Sequence, residues 1–219
     1  MNAKDLISEG ISPLMTSDTG IEALSMMEEY KVKHLPIVNQ ELLLGVIAEE
    51  DVFVMSEPES AIGSFSLSLQ KPYVFENQHI YDVIKEVVAQ KLTLMPVVDS
   101  QMRYLGTINL SDLLAQMAII LAIDQPGGII VLQMNEHDYS LGEMAQIVES
   151  NDAKVLSVQV LSLPNTTMID VTIKINRLDI SGVAQTLERY GYQIKSTIVE
   201  EKEEEFDDRY DSLMKYLNI

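Results

Sequence analysis

Two carboxylates recur at matching places in this chain. Asp51 stands six residues after Gly45, and Asp112 stands six residues after Gly106. An aspartate so placed has two chemical uses. It can accept hydrogen bonds from the hydroxyls of a small ligand, or it can satisfy the orphan backbone donors at the start of a helix. Catalytic alternatives find less support. His34, His79 and His137 lie far apart with no metal-ligand spacing, and the absence of cysteine excludes a thiolate nucleophile, a zinc–thiolate site and a disulfide framework. The Glu49-Glu50-Asp51 run resembles a pair of catalytic acids, yet it reads more simply as the acidic first turn of a helix. Glu136-His137-Asp138 reads as a polar loop before a helix rather than a cation site, and no phosphate-cradling glycine loop is present. The chain is therefore expected to be no enzyme, with no metal and no covalent cofactor.

The elements that must position these aspartates come in duplicate. His34-Leu35-Pro36-Ile37-Val38-Asn39 returns sixty positions later as Leu94-Met95-Pro96-Val97-Val98-Asp99. Leu44-Gly45-Val46-Ile47, followed by Asp51, returns as Leu105-Gly106-Thr107-Ile108, followed by Asp112. Each block follows an amphipathic helix, with Ile21, Leu24 and Met27 on the apolar face of one. Ile80, Val83, Ile84, Val87 and Val88 form that face in the other. Asp18 and Asn77 are the expected N-caps, and Glu22 falls in a first turn. The order is helix, strand, turn, strand, helix, repeated at about sixty residues.

This repeat resembles the CBS domain, over roughly residues 1–122, because the proline, glycine and aspartate all return in register. The resemblance implies two modules, 1–60 and 61–124, that form one pseudo-twofold pair (a Bateman module) with a ligand cleft between them. In CBS pairs that bind adenosine compounds, the aspartate meets the ribose hydroxyls, which points to Asp51 and Asp112. The residue three positions after the glycine is commonly a hydroxyl that meets phosphate; here those positions hold Ala48 and Asn109. A hydrogen bond to a charged phosphate contributes about 1.5–3 kcal/mol, so alanine forfeits something substantial while the asparagine amide still donates. The resemblance places Met95, Pro96 and Val97 beside the base, with Pro36 and His34 at the matching places of the first copy. AMP, ADP, ATP or S-adenosylmethionine is the implied ligand.

Asp124-Gln125-Pro126-Gly127-Gly128 breaks the pattern. Over 127–199 follow an apolar strand at Ile129–Met134 and a helix with Leu141, Met144, Ala145 and Val148 on one face, capped by Ser140. A β-rich stretch runs from Val155 to Leu163. Ile169, Val171, Ile173 and Ile175 then alternate with Asp170, Thr172, Lys174 and Asn176, the signature of a sheet with one wet face. Ile180, Val183, Ala184 and Leu187 form a further helix face, capped by Asp179 or Asn176; Gly191 ends that helix before a last strand at Tyr192–Val199. The order βαββαβ predicts a ferredoxin-like layer. Attached to a CBS pair, it resembles an ACT domain, and the whole chain is similar to CBS–ACT proteins of the acetoin-utilisation type. The expected fold class is α+β. ACT ligand loops often carry Asp followed by Pro-Gly-Leu, whereas Tyr139 and Ser140 occupy the proline and glycine places here.

The 219 residues carry a formal charge of −19, with 34 acidic and 15 basic side chains. That excess repels phosphate backbones and anionic membrane surfaces, so neither nucleic acid nor membrane is an expected partner. The most apolar run, from Leu113 to Ile123, is about half the length of a membrane span. It reads as a packed interface helix. The start, Met1-Asn2-Ala3-Lys4-Asp5, does not read as a signal peptide, and with the lack of cysteine it suggests a cytoplasmic protein. Residues 200–219 form an acidic tail in which Phe206, Tyr210, Leu213, Met214 and Leu217 keep helical spacing, as a docking helix would. The sequence thus predicts a regulatory protein that binds a small metabolite, forms a homodimer and signals to an unidentified target protein. The alternative is a scaffold that keeps the fold without the ligand.

Overall fold

The computed structural model describes residues 1–65 and 69–199. The helix expected over 200–219 lies outside the described residues. The chain divides into two compact units, Met1–Met117 and Ala118–Ile219.

The first unit holds two copies of one arrangement. In the first copy, β1 (Leu14–Met15) precedes α1 (Gly20–Tyr30), then β2 (His34–Asn39), β3 (Leu42–Ala48) and the short α2 (Glu49–Phe53). In the second, β4 (Val74–Phe75) precedes α3 (Ile80–Gln90), β5 (Leu94–Val98), β6 (Tyr104–Asn109) and α4 (Leu110–Ile120). Each copy forms a three-stranded sheet, ordered β1-β2-β3 and β4-β5-β6. The first strand is parallel to the second and the hairpin antiparallel. The repeated prolines are tolerated because β1 pairs only with Ile37 and Val38, and β4 only with Val97 and Val98. Pro36 and Pro96 therefore sit where their strand has a single neighbour and a missing N–H costs little.

Both helices start differently from the sequence expectation. Thr19, not Asp18, caps α1: its hydroxyl accepts from the Glu22 N–H at 3.2 Å, and the Glu22 carboxylate accepts from the Thr19 N–H at 2.8 Å. Asp18 instead accepts from the Met15 N–H at 2.7 Å. His79, not Asn77, caps α3 through Nδ1, which accepts from the Tyr81 N–H at 3.3 Å. The reciprocal bond of a capping box is stronger than a lone cap, and it decides both starts. The buried faces shift as well. Ile21 is 50% exposed and Val88 69% exposed, while Gly20, Ala23 and Met27 face inward on α1. Small residues mark the closest approach there, since a Cβ on Gly20 would lie 2.9 Å from Val52 Cγ1.

The cores cross the sequence halves. Ala3 and Leu6, in a 3-10 turn near the start, pack with Val74, Ile80, Val83, Met95, Val97 and Leu113 of the second copy. Ile62 packs with Leu14, Met27, Leu35, Ile47 and Val52 of the first, and Leu94 joins that cluster. Val38, Leu43 and Val98 form a third cluster shared by both copies. This arrangement explains the repeated glycines. A Cβ on Gly45 would meet Leu69 Cβ at 2.7 Å, and one on Gly106 would meet Ile7 Cγ2 at 2.4 Å. In both copies an arriving segment crosses directly over the glycine.

The second unit is β7 (Gly128–Asn135), α5 (Leu141–Ser150), β8 (Val155–Ser162), β9 (Met168–Ile175), α6 (Ser181–Arg189) and β10 (Gln193–Val199). The sheet order β10-β7-β9-β8 is antiparallel throughout. Its core joins Ile130, Leu132, Val171 and Ile173 of the sheet to Met144, Ile147, Val183 and Leu187 of the helices. Ser140 caps α5, accepting from the Glu143 N–H at 3.4 Å, and Asp179 accepts from the Ser181 N–H at 3.0 Å. Asn176 serves elsewhere, accepting from the Lys154 N–H at 2.7 Å. The face expected to be wet is covered at two of its polar positions, while Thr172 is half-buried and Asn176 exposed. Asp170 and Lys174 are 8% and 5% exposed. Asp170 accepts from Gln133 and Lys195, and Lys174 donates to the Ile123 carbonyl at 2.9 Å. A charge withdrawn from water needs such partners.

Candidate functional site

The first aspartate is set by a turn of helix. Ala48 is the N-cap of α2, and Glu49, Glu50 and Asp51 make its first turn. Asp51 therefore stands inside the helix rather than before it, and its Oδ2 accepts from the Ala48 N–H at 2.9 Å. Antiparallel pairing sets His34 opposite Ala48. His34 Nδ1 lies 3.3 Å from the Thr93 backbone N–H, which donates to it, and 3.0 Å from the Thr93 hydroxyl. Thr93 Oγ1 in turn accepts from the Lys33 N–H at 3.0 Å. One histidine of the first copy is thereby fastened to the second copy. Burial pushes the His34 imidazole below its ordinary value, against the opposing pull of Glu50 and Asp51. Because Nδ1 accepts, the ring's proton in the neutral form resides on Nε2.

These residues border a pocket of about 280 Å³. His34, Val46, Ala48, Glu50 and Asp51 line it from the first copy, and Gln70, Pro72, Gln90 and Leu92 from the second. Both repeats thus contribute walls to one cavity, near the lower end of volumes typical of small-ligand sites. Gln90 donates through Nε2 to Glu86 at 2.9 Å, which leaves its carbonyl oxygen as an acceptor. Lys33, beside His34, lies 4.0 Å from Glu49.

The corresponding place in the second copy is built differently. Asn109 ends β6, and its Oδ1 accepts from the Ser111 N–H at 3.1 Å. Its own N–H donates to Ser8 Oγ at 2.9 Å. Asp112 is the third residue of α4 and is exposed, and its carboxylate makes no hydrogen bond among the described residues. It does not line the pocket that holds Asp51. Pro36 and Pro96 are buried, and Met95 is fully enclosed in the second copy's core. Sequence reasoning missed Gln70, Pro72, Gln90 and Leu92. It also missed Ser8, which reaches Asn109 across 101 positions. Folding each copy over the other's arriving segment brings them in, and the sixty-residue offset between Val32 and Leu92 was the available signal.

In the second unit, the loop after β7 forms a 3-10 turn at Glu136–Asp138, capped by Asn135. A cavity of about 560 Å³ borders it, lined in part by Asn135, Asp138, Glu143, Tyr190 and Tyr192. The Tyr192 hydroxyl donates to Glu143 at 2.7 Å. Burial, with Glu143 alongside, pushes the Tyr192 phenol up to about 12. Among the described residues no group of three or more His, Asp or Glu side chains could hold a metal ion, and no helix is long and apolar enough to cross a membrane.

Comparison with known proteins agrees with this architecture. The family model described as the CBS domain matches residues 3–56 and again 66–119. An inosine-5′-monophosphate dehydrogenase of Methanocaldococcus jannaschii is 25% identical over 142 residues, which are 63% of this chain and 28% of the dehydrogenase. The chain thus spans little more than a quarter of the curated relative it matches. Among solved structures, a CBS domain pair/ACT domain protein of Thermotoga maritima is 24% identical, over 55% of this chain and 99% of that one, with a TM-score of 0.49. CBSX2, solved in complex with AMP, is 20% identical over 54% of this chain and 97% of its own, with a TM-score of 0.46. The CBS domain of a bacterial CNNM/CorC family Mg2+ transporter, in complex with ATP, is 18% identical over 54% and 87%, with a TM-score of 0.43. Two matches to one family model, each spanning one of the duplicated three-stranded sheets, identify the first unit of this α+β chain as a tandem pair of CBS domains.

Proposed function

We propose that the chain is a non-catalytic regulatory protein that binds an adenosine compound between its two CBS modules and signals through its ferredoxin-like, ACT-like unit. The observation that carries this reading is the pocket walled by both modules with the Asp51 carboxylate on its border. Asp51 serves as acceptor for ribose hydroxyls, with Asn109 and Asp112 marking the second, separately built position. A ligand seated between two modules shifts their packing by as much as its affinity for two packings differs. His34, bonded across to Thr93, stands where such a shift is felt.

The test is a thermal-shift and calorimetry panel of AMP, ADP, ATP, S-adenosylmethionine and amino acids on the full chain. Binding of an adenosine compound, lost in Asp51→Ala or Asp112→Ala, supports the reading. No response at millimolar ligand removes it.

Ala48 favours a second reading, a scaffold that kept the fold and lost the ligand. Co-purification with an enzyme or transporter, abolished by deleting residues 200–219, is its signature. Similarity to the acetoin-utilisation type directs that search toward enzymes of small-carbon metabolism. A homodimer in a cytoplasmic setting belongs to both readings. Leu110, Leu114, Ile119 and Ile120 of α4, at least 38% exposed, are the surface it would cover, and light scattering checks it.

A further inference from the structure

The lining of the Asp51 cleft carries negative charge and no cation. Glu50 and Asp51 bring two carboxylates to its border, while the amides of Gln70 and Gln90, the latter with one N–H on Glu86, are neutral. Ala48 has no polar side-chain atom. His34 has spent Nδ1 on Thr93 and keeps one N–H. The lining contains no lysine or arginine. Lys71 and Lys91 adjoin lining residues in sequence but are exposed. Lys33 faces Glu49. Glu50 and Asp51 both act on the His34 ring, and each outweighs Lys33, a cation outside the lining that acts on it too.

A phosphate placed here would meet two like charges and no fixed cation, whereas a ligand with an amine, hydroxyls or a positive centre would meet acceptors it can satisfy. We infer that the Asp51 cleft selects by charge, taking an adenosyl compound that is uncharged or cationic beyond the ribose and rejecting those that carry phosphate there. The inference rests on the proposed ligand-binding role and narrows its chemical class. S-adenosylmethionine, whose sulfonium and ammonium outweigh its one carboxylate, is the cationic member of that class; adenosine is the uncharged one.

The experiment is isothermal calorimetry on the full chain with adenosine, S-adenosylmethionine, AMP and ATP, repeated on Asp51→Ala and Glu50→Gln. Adenosine or S-adenosylmethionine is expected to bind at least tenfold more tightly than AMP or ATP, with the heat lost in Asp51→Ala. Glu50→Gln, at an exposed position, should narrow the preference for S-adenosylmethionine over AMP by about three- to fivefold. AMP or ATP binding more tightly than adenosine, with heat that Asp51→Ala removes, overturns the charge selection and leaves the ligand-sensor reading standing. Heat that survives Asp51→Ala overturns the assignment to this cleft. Silence from all four compounds overturns the sensor reading itself.

Discussion

Gly106 and His34 show how much a single position can carry. At Gly106 the backbone leaves no room: an added Cβ would lie 2.4 Å from Ile7 Cγ2. Gly106→Ala is expected to lower the unfolding free energy by about 1–3 kcal/mol, as overpacking does, with Gly45→Ala behaving alike in urea titrations. His34 makes stability depend on pH. Its value is depressed in the folded protein, so between its ordinary value of 6.5 and the folded one the unfolded chain binds more protons. Stability therefore falls as pH drops below about 6.5. Asp99 and Asp170, held low by hydrogen bonds from Arg103 and Lys195, contribute stability that persists above the ordinary 3.8 and is lost only as pH falls through their folded values. Melting curves of wild type and His34→Gln across pH 4.5–7.5 should differ in slope in the upper window. Parallel curves would show that His34 does not couple to folding.

Among the elements, the helix starts separate what pattern reveals from what competition decides. The apolar steps along α3 were readable, and Ile80, Val83 and Val87 are indeed buried. The cap was not, because several polar residues precede each helix and only the one with a partner three residues on completes a reciprocal pair. Thr19→Ala should cost about 1 kcal/mol in denaturant unfolding, while Asn77→Ala should stay within about 0.5 kcal/mol. Equal effects would contradict the caps described here. On β9 the alternation was legible, yet its charged residues Asp170 and Lys174 are enclosed. Asp170 meets Gln133 of the adjacent β7 and Lys195 of β10 one strand further, and strand order is invisible in a linear pattern.

For the molecule as a whole, the exchange of arms matters most. Leu6 is 4% exposed within the second CBS module's core, so the first residues stabilise a module that begins some sixty positions later. Leu6→Ala is expected to cost about 2–4 kcal/mol, and a chain starting at residue 9 should unfold its second module first. Hydrogen exchange resolved along the chain checks this, and uniform protection in the shortened chain would refute it. The pocket has the same origin. Its far wall, Gln70, Pro72, Gln90 and Leu92, meets His34 and Asp51 because each module accepts the other's leading segment.

The linear order of residues determined the duplication, the α+β class, the βαββαβ unit and the aspartates worth examining. Periodicity and recurrence are local properties that survive without a fold. Tertiary structure decided which donors and acceptors stay free. It tied Asp51 to Ala48, left Asp112 open to water, gave Ser8 to Asn109 and spent one His34 nitrogen on Thr93. A hydrogen bond is an exclusive commitment between groups far apart in sequence, and only the folded chain settles which commitments are made.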